Sequence, residues 1–215
     1  MTRKGLLLTA ATILAMGGTA MADTAQKRIA LSNNYAGNSW RQAMLESWKR
    51  VTDKAVADGI VAAADAFTTA ENQATEQAAQ IQNMILQGYD AIVVNAASPT
   101  ALNGAINEAC DAGITVVSFD GIVTEPCAWR VKVDFKKMGA DEIAYLAGRL
   151  PDGGNLLEIR GLAGVSVDDE IHAGIEEGVK AHPNFKVVGS VNGDWAQDVA
   201  QKAVAGVILY VNSKG

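Results

Sequence analysis

Positive charge is scarce in this sequence. Its 215 residues include 18 basic and 24 acidic side chains. Without Arg3 and Lys4 at the N-terminus, 16 basic residues face the same 24 acidic ones, and the net charge is −8. Nucleic acids and anionic lipid surfaces attract basic proteins, so an acidic chain is a poor partner for either. We therefore expect no nucleic-acid partner.

Residues that hold metals, nucleotides or reaction intermediates are also few. The two histidines, His172 and His182, do not cluster with the two cysteines, which argues against a Cys/His metal site. There is no G-x-G-x-x-G and no G-x-x-x-x-G-K-[ST] motif, which argues against a dinucleotide-binding or phosphate-cradling enzyme. The sequence shows no nucleophile placed beside a general base. It also shows no pair of carboxylates in different environments that could act as general acid and general base. The sequence therefore predicts a non-enzyme without a cofactor.

The chain lacks an apolar run of the ~20 residues that span a bilayer. Its N-terminal apolar stretch, residues 6–17, follows Arg3 and Lys4 and precedes an A-x-A cleavage site at residues 20–22. These are the parts of a bacterial secretory signal, so we predict a periplasmic protein whose mature chain begins near Asp23. A membrane anchor is the alternative. A transcription regulator would need a basic helix-turn-helix where this signal lies.

The two cysteines, Cys110 and Cys127, are predicted to form a disulfide. Oxidation is the default in an exported chain, and the number of cysteines is even. The bridge would close a short loop, which contributes about 3 kcal/mol in the chain-entropy model. Two separate buried thiols are the alternative.

A strand, a polar turn and a capped helix recur three times before a fourth strand. Ser39 with Gln42, and Thr68 with Glu71, have the capping-box spacing of helix starts, and Gly59 suits a helix end. This alternation is typical of an α/β fold with a parallel sheet and helices on both faces. The predicted strands are 28–31, 60–66, 91–94 and 114–119, and the predicted helices are 39–57, 68–86 and 99–113.

The alternation stops at residues 121–130 and then restarts, which indicates a second α/β lobe from about residue 134. The predicted organisation is a signal peptide (1–22), an N-terminal lobe (23–133) and a partial C-terminal lobe (134–215). Near the start of one second-lobe helix, Asp168, Asp169 and Glu170 are expected to form a solvated first turn favoured by the helix dipole. A short predicted strand at 131–133 leads into this lobe. The predicted second-lobe strands are 155–160 and 185–191, and the helices are 134–149, 167–181 and one from 194.

From Arg28 to about Val204 the sequence resembles the sugar-binding periplasmic proteins of ABC importers, of the ribose-binding type. It is also similar to the sensor lobes of LacI-like repressors. In that family two α/β lobes close over a monosaccharide at the strand ends. The resemblance implies a two-lobed type I periplasmic binding protein with parallel sheets and helices on both faces. It is carried by Asn38-Ser39-Trp40-Arg41, by residues 116–120, by Gly161-Leu162-Ala163-Gly164 with Ser166, and by Gly193-Asp194-Trp195.

The resemblance implies ligand-binding roles for individual residues. Asn38 falls on a sugar-contacting Asn, Trp40 on an aromatic that stacks on the ring, and Asp120 on a carboxylate that accepts from two hydroxyls. Trp195 falls on the opposing aromatic of the second lobe. The chemistry is reasonable, because carboxylates accept paired hydroxyl donors and indole faces cover C–H faces of sugars. The alternatives are a turn residue at Asp120 and core aromatics at the two tryptophans.

Three departures from the ribose-type pattern affect the expected ligand. Gly121 and Ile171 stand where those members have arginines, and Arg41 stands where an aromatic is common. We therefore expect a ligand other than ribose, with Arg41 available for an acidic or more polar part of it. Asn34, in the same amide-rich loop, completes the expected ligand-binding set.

The implied function is the solute-binding component of an ABC sugar importer. Its partners would be a sugar or polyol, a membrane permease and a chemoreceptor, and we expect a monomer. The alternatives are a chemoreceptor-linked sensor for another small polar ligand, or an enzyme on the same fold. The terminal segment, residues 207–215, does not match the family, so the second lobe is expected to be incomplete. We expect this chain alone to bind sugar weakly or not at all and to unfold readily or aggregate, with the first lobe better ordered.

Overall fold

The computed structural model describes residues 23–70 and 73–214, so the predicted signal peptide lies outside the described residues. Within these ranges the chain forms a five-stranded and a two-stranded parallel sheet. None of the described helices is long and apolar enough to cross a membrane. The first lobe contains β1 (Arg28–Asn33), α1 (Ser39–Ala57), β2 (Ala63–Thr68), α2 (Ala74–Leu86), β3 (Ala91–Asn95), α3 (Asn103–Asp111), β4 (Thr115–Phe119) and β5 (Trp129–Val131).

The five strands lie in the order β2-β1-β3-β4-β5, so β1, β3 and β4 are interior. Interior parallel strands are covered on both faces and are expected to be rich in apolar residues, and each of these three contains an apolar run. Ile92, Val94 and Val116 of the sheet pack in one buried cluster with Ile81 of α2 and Ile106 of α3. The carboxyl ends of the interior strands therefore meet along one edge of a rigid sheet.

The second lobe contains α4 (Phe135–Arg149), β6 (Gly154–Arg160), α5 (Ser166–Ala181), β7 (Phe185–Asn192) and α6 (Gln197–Lys214). Strands β6 and β7 pair in parallel with one register shift. Helices α4 and α5 cross closely at Gly174, where a Cβ would overlap the carbonyl oxygen of Lys136. The predicted α/β class with parallel sheets is confirmed in both lobes.

Two of the predicted helix caps were wrong. The second helix begins at Ala74 rather than at Thr68, because Thr68 pairs with Asn33 and extends β2. Glu71, the other half of that predicted capping box, lies outside the described residues. The first helix has its predicted bounds, but its N-cap is Asn38, whose Oδ1 accepts from the Arg41 N–H at 2.8 Å.

The predicted disulfide between Cys110 and Cys127 is confirmed. It joins the last turn of α3 to the irregular segment that precedes β5. That segment also bonds to the turn between β3 and α3, since Thr124 donates its backbone N–H to the Pro99 carbonyl at 2.8 Å. The bridge thus restrains the segment that follows Asp120 along the chain.

Candidate ligand-binding site

The loop after β1, the segments after β3 and β4, and the second lobe surround a cleft of about 300 Å³. This position agrees with the general rule that α/β proteins bind ligands at the carboxyl ends of parallel strands. All the side chains proposed from the sequence as ligand contacts line this one cleft: Asn34, Asn38, Trp40, Arg41, Asp120 and Trp195.

A charged pair lies in the first-lobe wall of the cleft. Arg41 Nη2 is 3.5 Å from Asp120 Oδ2, and the two side chains are only 12% and 21% exposed. Arg41 also donates from Nη1 to Asn33 Oδ1 at 2.9 Å. Burial lowers the pKa of Arg41, while the Asp120 charge acts in the opposite direction. Arginine nevertheless stays protonated in proteins, so the pair is an ionic one whose charges balance.

The Asp120 carboxylate is fixed by a fully buried side chain that sequence reasoning missed. Asn95 Nδ2 donates to Asp120 Oδ2 at 3.1 Å, and Asn95 Oδ1 accepts from the Gly121 N–H at 3.3 Å. Asn95 follows a continuous apolar run, and the sequence pattern indicated only a polar turn there. Its position at the carboxyl end of an interior strand was the signal for a site residue.

Strained backbone is concentrated at this cleft. Among the described residues other than glycine, those with positive φ are Asp120 (55°), Asp194 (51°) and Trp195 (55°). Left-handed backbone costs a residue with a Cβ about 1–2 kcal/mol, and such strain persists only where the surrounding structure enforces it. Two of the three residues line the cleft, and Asp194 immediately precedes Trp195.

The two amide side chains of the first loop differ in their bonding. Asn34 donates from Nδ2 to the Ala96 carbonyl at 3.0 Å. Its Oδ1 is buried and finds no partner among the residues described. Asn38 uses its Oδ1 for the helix cap. Asn34 therefore offers an acceptor, while the Nδ2 of Asn38 can act as a donor.

Trp40 and Trp195 face the cleft from different lobes. They are 51% and 41% exposed, so neither is a core aromatic. The guanidinium carbon of Arg41 lies 5.3 Å from the Trp40 ring centroid. Trp195 packs against Gly161, where a Cβ would overlap the indole ring. Both indoles are therefore placed by neighbouring groups while part of each remains accessible.

The expectation that Asp168 lies in a solvated turn was wrong. Its side chain is 3% exposed, and Oδ2 accepts from Arg160 Nη2 at 2.6 Å. Its Oδ1 accepts from the Gly161 N–H at 2.7 Å. The carboxylate thereby ties the first turn of α5 to the end of β6, next to the Trp195 indole. This role depends on Arg160, which lies on another element, so an argument from the local helix dipole could not predict it.

The model of the periplasmic binding protein domain family matches residues 29–213. A xylitol-binding protein from Mycolicibacterium smegmatis is 29% identical over 135 residues, which are 62% of this chain and 39% of that protein. A ribose import binding protein from Escherichia coli is 24% identical over 191 residues, covering 88% of this chain and 62% of that protein. The chain thus spans between about two fifths and three fifths of the length of these relatives.

Solved structures of solute-binding proteins are similar to this chain in fold. An ABC transporter solute binding protein from Thermobispora bispora is 36% identical with a TM-score of 0.79, over 85% of this chain and 57% of that one. A Caulobacter myo-inositol binding protein is 22% identical with a TM-score of 0.77, over 86% of this chain and 62% of that one. The second likeness concerns the fold alone.

Proposed function

Because this chain belongs to the periplasmic binding protein family, we propose that it binds a monosaccharide or related polyol in the cleft between its lobes and delivers it to the membrane permease of an ABC importer. The observation that carries the proposal is the set of side chains in one cleft. A balanced ion pair, two amides and two accessible indoles lie around a space of about 300 Å³.

Each group has a role suited to a sugar. The Asp120 carboxylate accepts from hydroxyls, and Arg41 and Asn38 donate to hydroxyl oxygens. Asn34 Oδ1, buried without a partner among the described side chains, accepts from a further hydroxyl. Trp40 and Trp195 cover the two C–H faces of the ring. Since the Arg41 charge is already matched by Asp120, a neutral ligand suits this wall better than an acidic one.

Binding is coupled to closure of the two lobes, which we place at residues 23–133 and 134–215. Trp40 belongs to the first lobe and Trp195 to the second, so a ring held between the two indoles stabilises the closed arrangement. The proposed location is the periplasm, after removal of residues 1–22. A relative from Escherichia coli carries the name D-xylose-binding periplasmic protein, which supports this location.

The test is a binding screen on the mature chain, residues 23–215. Tryptophan fluorescence and thermal shifts would be recorded with pentoses, hexoses, polyols and sugar acids up to tens of millimolar, since a bound ligand raises apparent stability. We expect a saturable response to a neutral sugar or polyol. Asp120→Ala should weaken that response at least about tenfold, because hydroxyls lose their buried acceptor.

The matched control is Asp152→Ala, which removes an exposed carboxylate of a second-lobe turn. It should bind as the parent does. No response to any sugar or polyol would contradict the proposed function. Equal affinity of the Asp120→Ala variant and the parent would remove Asp120 from the site.

A further inference from the structure

The two walls of the cleft differ in chemistry. The first-lobe wall carries charged and hydrogen-bonding side chains, among them Asn34, Asn38, Arg41 and Asp120. The second-lobe wall has a different composition. Its described side chains are aliphatic or aromatic: Phe135, Met138, Leu162, Val165, Val167 and Ile171, together with Trp195. Apart from the indole N–H of Trp195, these described side chains offer no conventional hydrogen-bond donor or acceptor.

Two acidic residues that adjoin this apolar wall in the sequence are engaged elsewhere. Asp168, next to Val167, bonds to Arg160 and to the Gly161 N–H. Glu170, next to Ile171, pairs with Lys132 at 3.3 Å. These two carboxylates therefore already have partners other than a ligand in the cleft.

A sugar held here meets opposite demands on its two sides. Hydroxyls directed to the first lobe find acceptors and donors. A hydroxyl pressed against the second-lobe side chains loses its water partners and gains none, which is unfavourable. A C–H edge or a methyl group in the same place gains apolar contact instead. Such a wall favours a sugar that lacks a hydroxyl on this side over one that carries it.

We propose that this cleft prefers a deoxy sugar or deoxy polyol, whose deoxygenated edge contacts the second-lobe wall around Leu162 and Ile171. This inference rests on the proposed function. Neutral ligands that carry a hydroxyl at that edge bind more weakly. An apolar pocket rejects an added hydroxyl by about 10- to 100-fold, so this is the range of preference expected.

The experiment titrates the mature chain with sugar pairs that differ by one hydroxyl. The pairs are D-fucose with D-galactose, L-fucose with L-galactose, L-rhamnose with L-mannose, and 2-deoxy-D-ribose with D-ribose. At least one deoxy member should bind about tenfold or more tightly than its parent. If every parent sugar binds as tightly as its deoxy partner, the inference is overturned while the proposed function stands. If no sugar binds in any assay, the proposed function fails and takes the inference with it.

A variant pair locates the preference on the second-lobe wall. Ile171→Gln introduces an amide and should reduce the deoxy-to-parent affinity ratio at least about threefold by giving the extra hydroxyl a partner. The control Lys180→Gln, on an exposed position of the same helix, should leave the ratio unchanged. Circular dichroism checks that both variants fold. If Ile171→Gln does not fold, the deoxy-to-parent affinity ratio of the unmodified chain still tests the preference. An unchanged ratio in folded Ile171→Gln would overturn the assignment to this wall.

Discussion

Removing the negative charge of Asp120 should expose the cost of burying Arg41. We choose Asp120→Asn because residue 120 has a φ of 55°. Asn, like Gly and Asp, tolerates this left-handed backbone conformation, whereas most other residues do not. The substitution keeps the side-chain shape and an oxygen acceptor. The free energy of unfolding should therefore report the lost charge rather than a change in backbone strain.

The magnitude follows from the burial and length of the ion pair. Exposed pairs contribute about 0.2–1 kcal/mol, whereas breaking a buried pair costs about 3–5 kcal/mol. The side chains here are 12% and 21% exposed, but their nearest atoms are 3.5 Å apart, and Asn33 still accepts from Arg41. We expect Asp120→Asn to lower the unfolding free energy by about 1–2 kcal/mol, between the two limits.

The assay is urea unfolding of residues 23–215, followed by far-UV circular dichroism. A double-mutant cycle with Arg41→Met should give a coupling energy of about 1 kcal/mol. Each single variant leaves one charge buried without its partner, whereas the double variant leaves no unpaired charge. The control Asp152→Asn, at an exposed turn, should change stability by less than about 0.5 kcal/mol. An Asp120→Asn variant as stable as the parent, with no coupling to Arg41, would refute the reasoning.

Three further predictions concern the disulfide and the second lobe. Replacing Cys110 and Cys127 by serine should destabilise the chain by about 3 kcal/mol in thermal or urea unfolding, since the bridge closes a loop of 17 residues' separation; two titratable thiols in denatured, unreduced parent protein would contradict the bridge. Asp168→Asn should lower second-lobe stability by about 2–4 kcal/mol in urea, because Arg160 loses its buried carboxylate; an unchanged midpoint would count against this role. Trp195→Ala should weaken sugar binding at least about tenfold by fluorescence titration. Trp129→Ala, at an exposed tryptophan outside the cleft lining, is its control, and equal losses in both would contradict a stacking role.

Local sequence signals predicted the elements well where one pattern dominated. The bounds of α1 were correct because its start and end are both marked, by capping residues and by Gly59. The capping residue itself was one position off, since Asn38 and Ser39 are both good caps and only geometry decides between them. Thr68 is compatible both with a helix N-cap and with a strand. In the structure it extends β2 and pairs with Asn33.

The candidate site was predictable only in part, for a different reason. The family resemblance gave ligand-binding roles to four of the six predicted residues, and Arg41 and Asn34 were added from their positions in the first loop. Neither approach indicated Asn95, which donates to Asp120 from the neighbouring strand end. Asp168 was misplaced because its partner Arg160 lies on another element. The apolar second-lobe wall depends on which faces of α4 and α5 meet the cleft, and that is decided by tertiary packing.

The left-handed backbone at residues 120 and 195 limits how this binding site can be changed. Only Gly, Asn and Asp enter that conformation readily, so most exchanges at residue 120 lose folding stability before they alter ligand choice. Ile171 lies on a regular helix and Leu162 on a loop, neither with positive φ. Variation and laboratory selection for new ligands should therefore accumulate at positions such as Leu162 and Ile171, while residues 120 and 195 stay fixed.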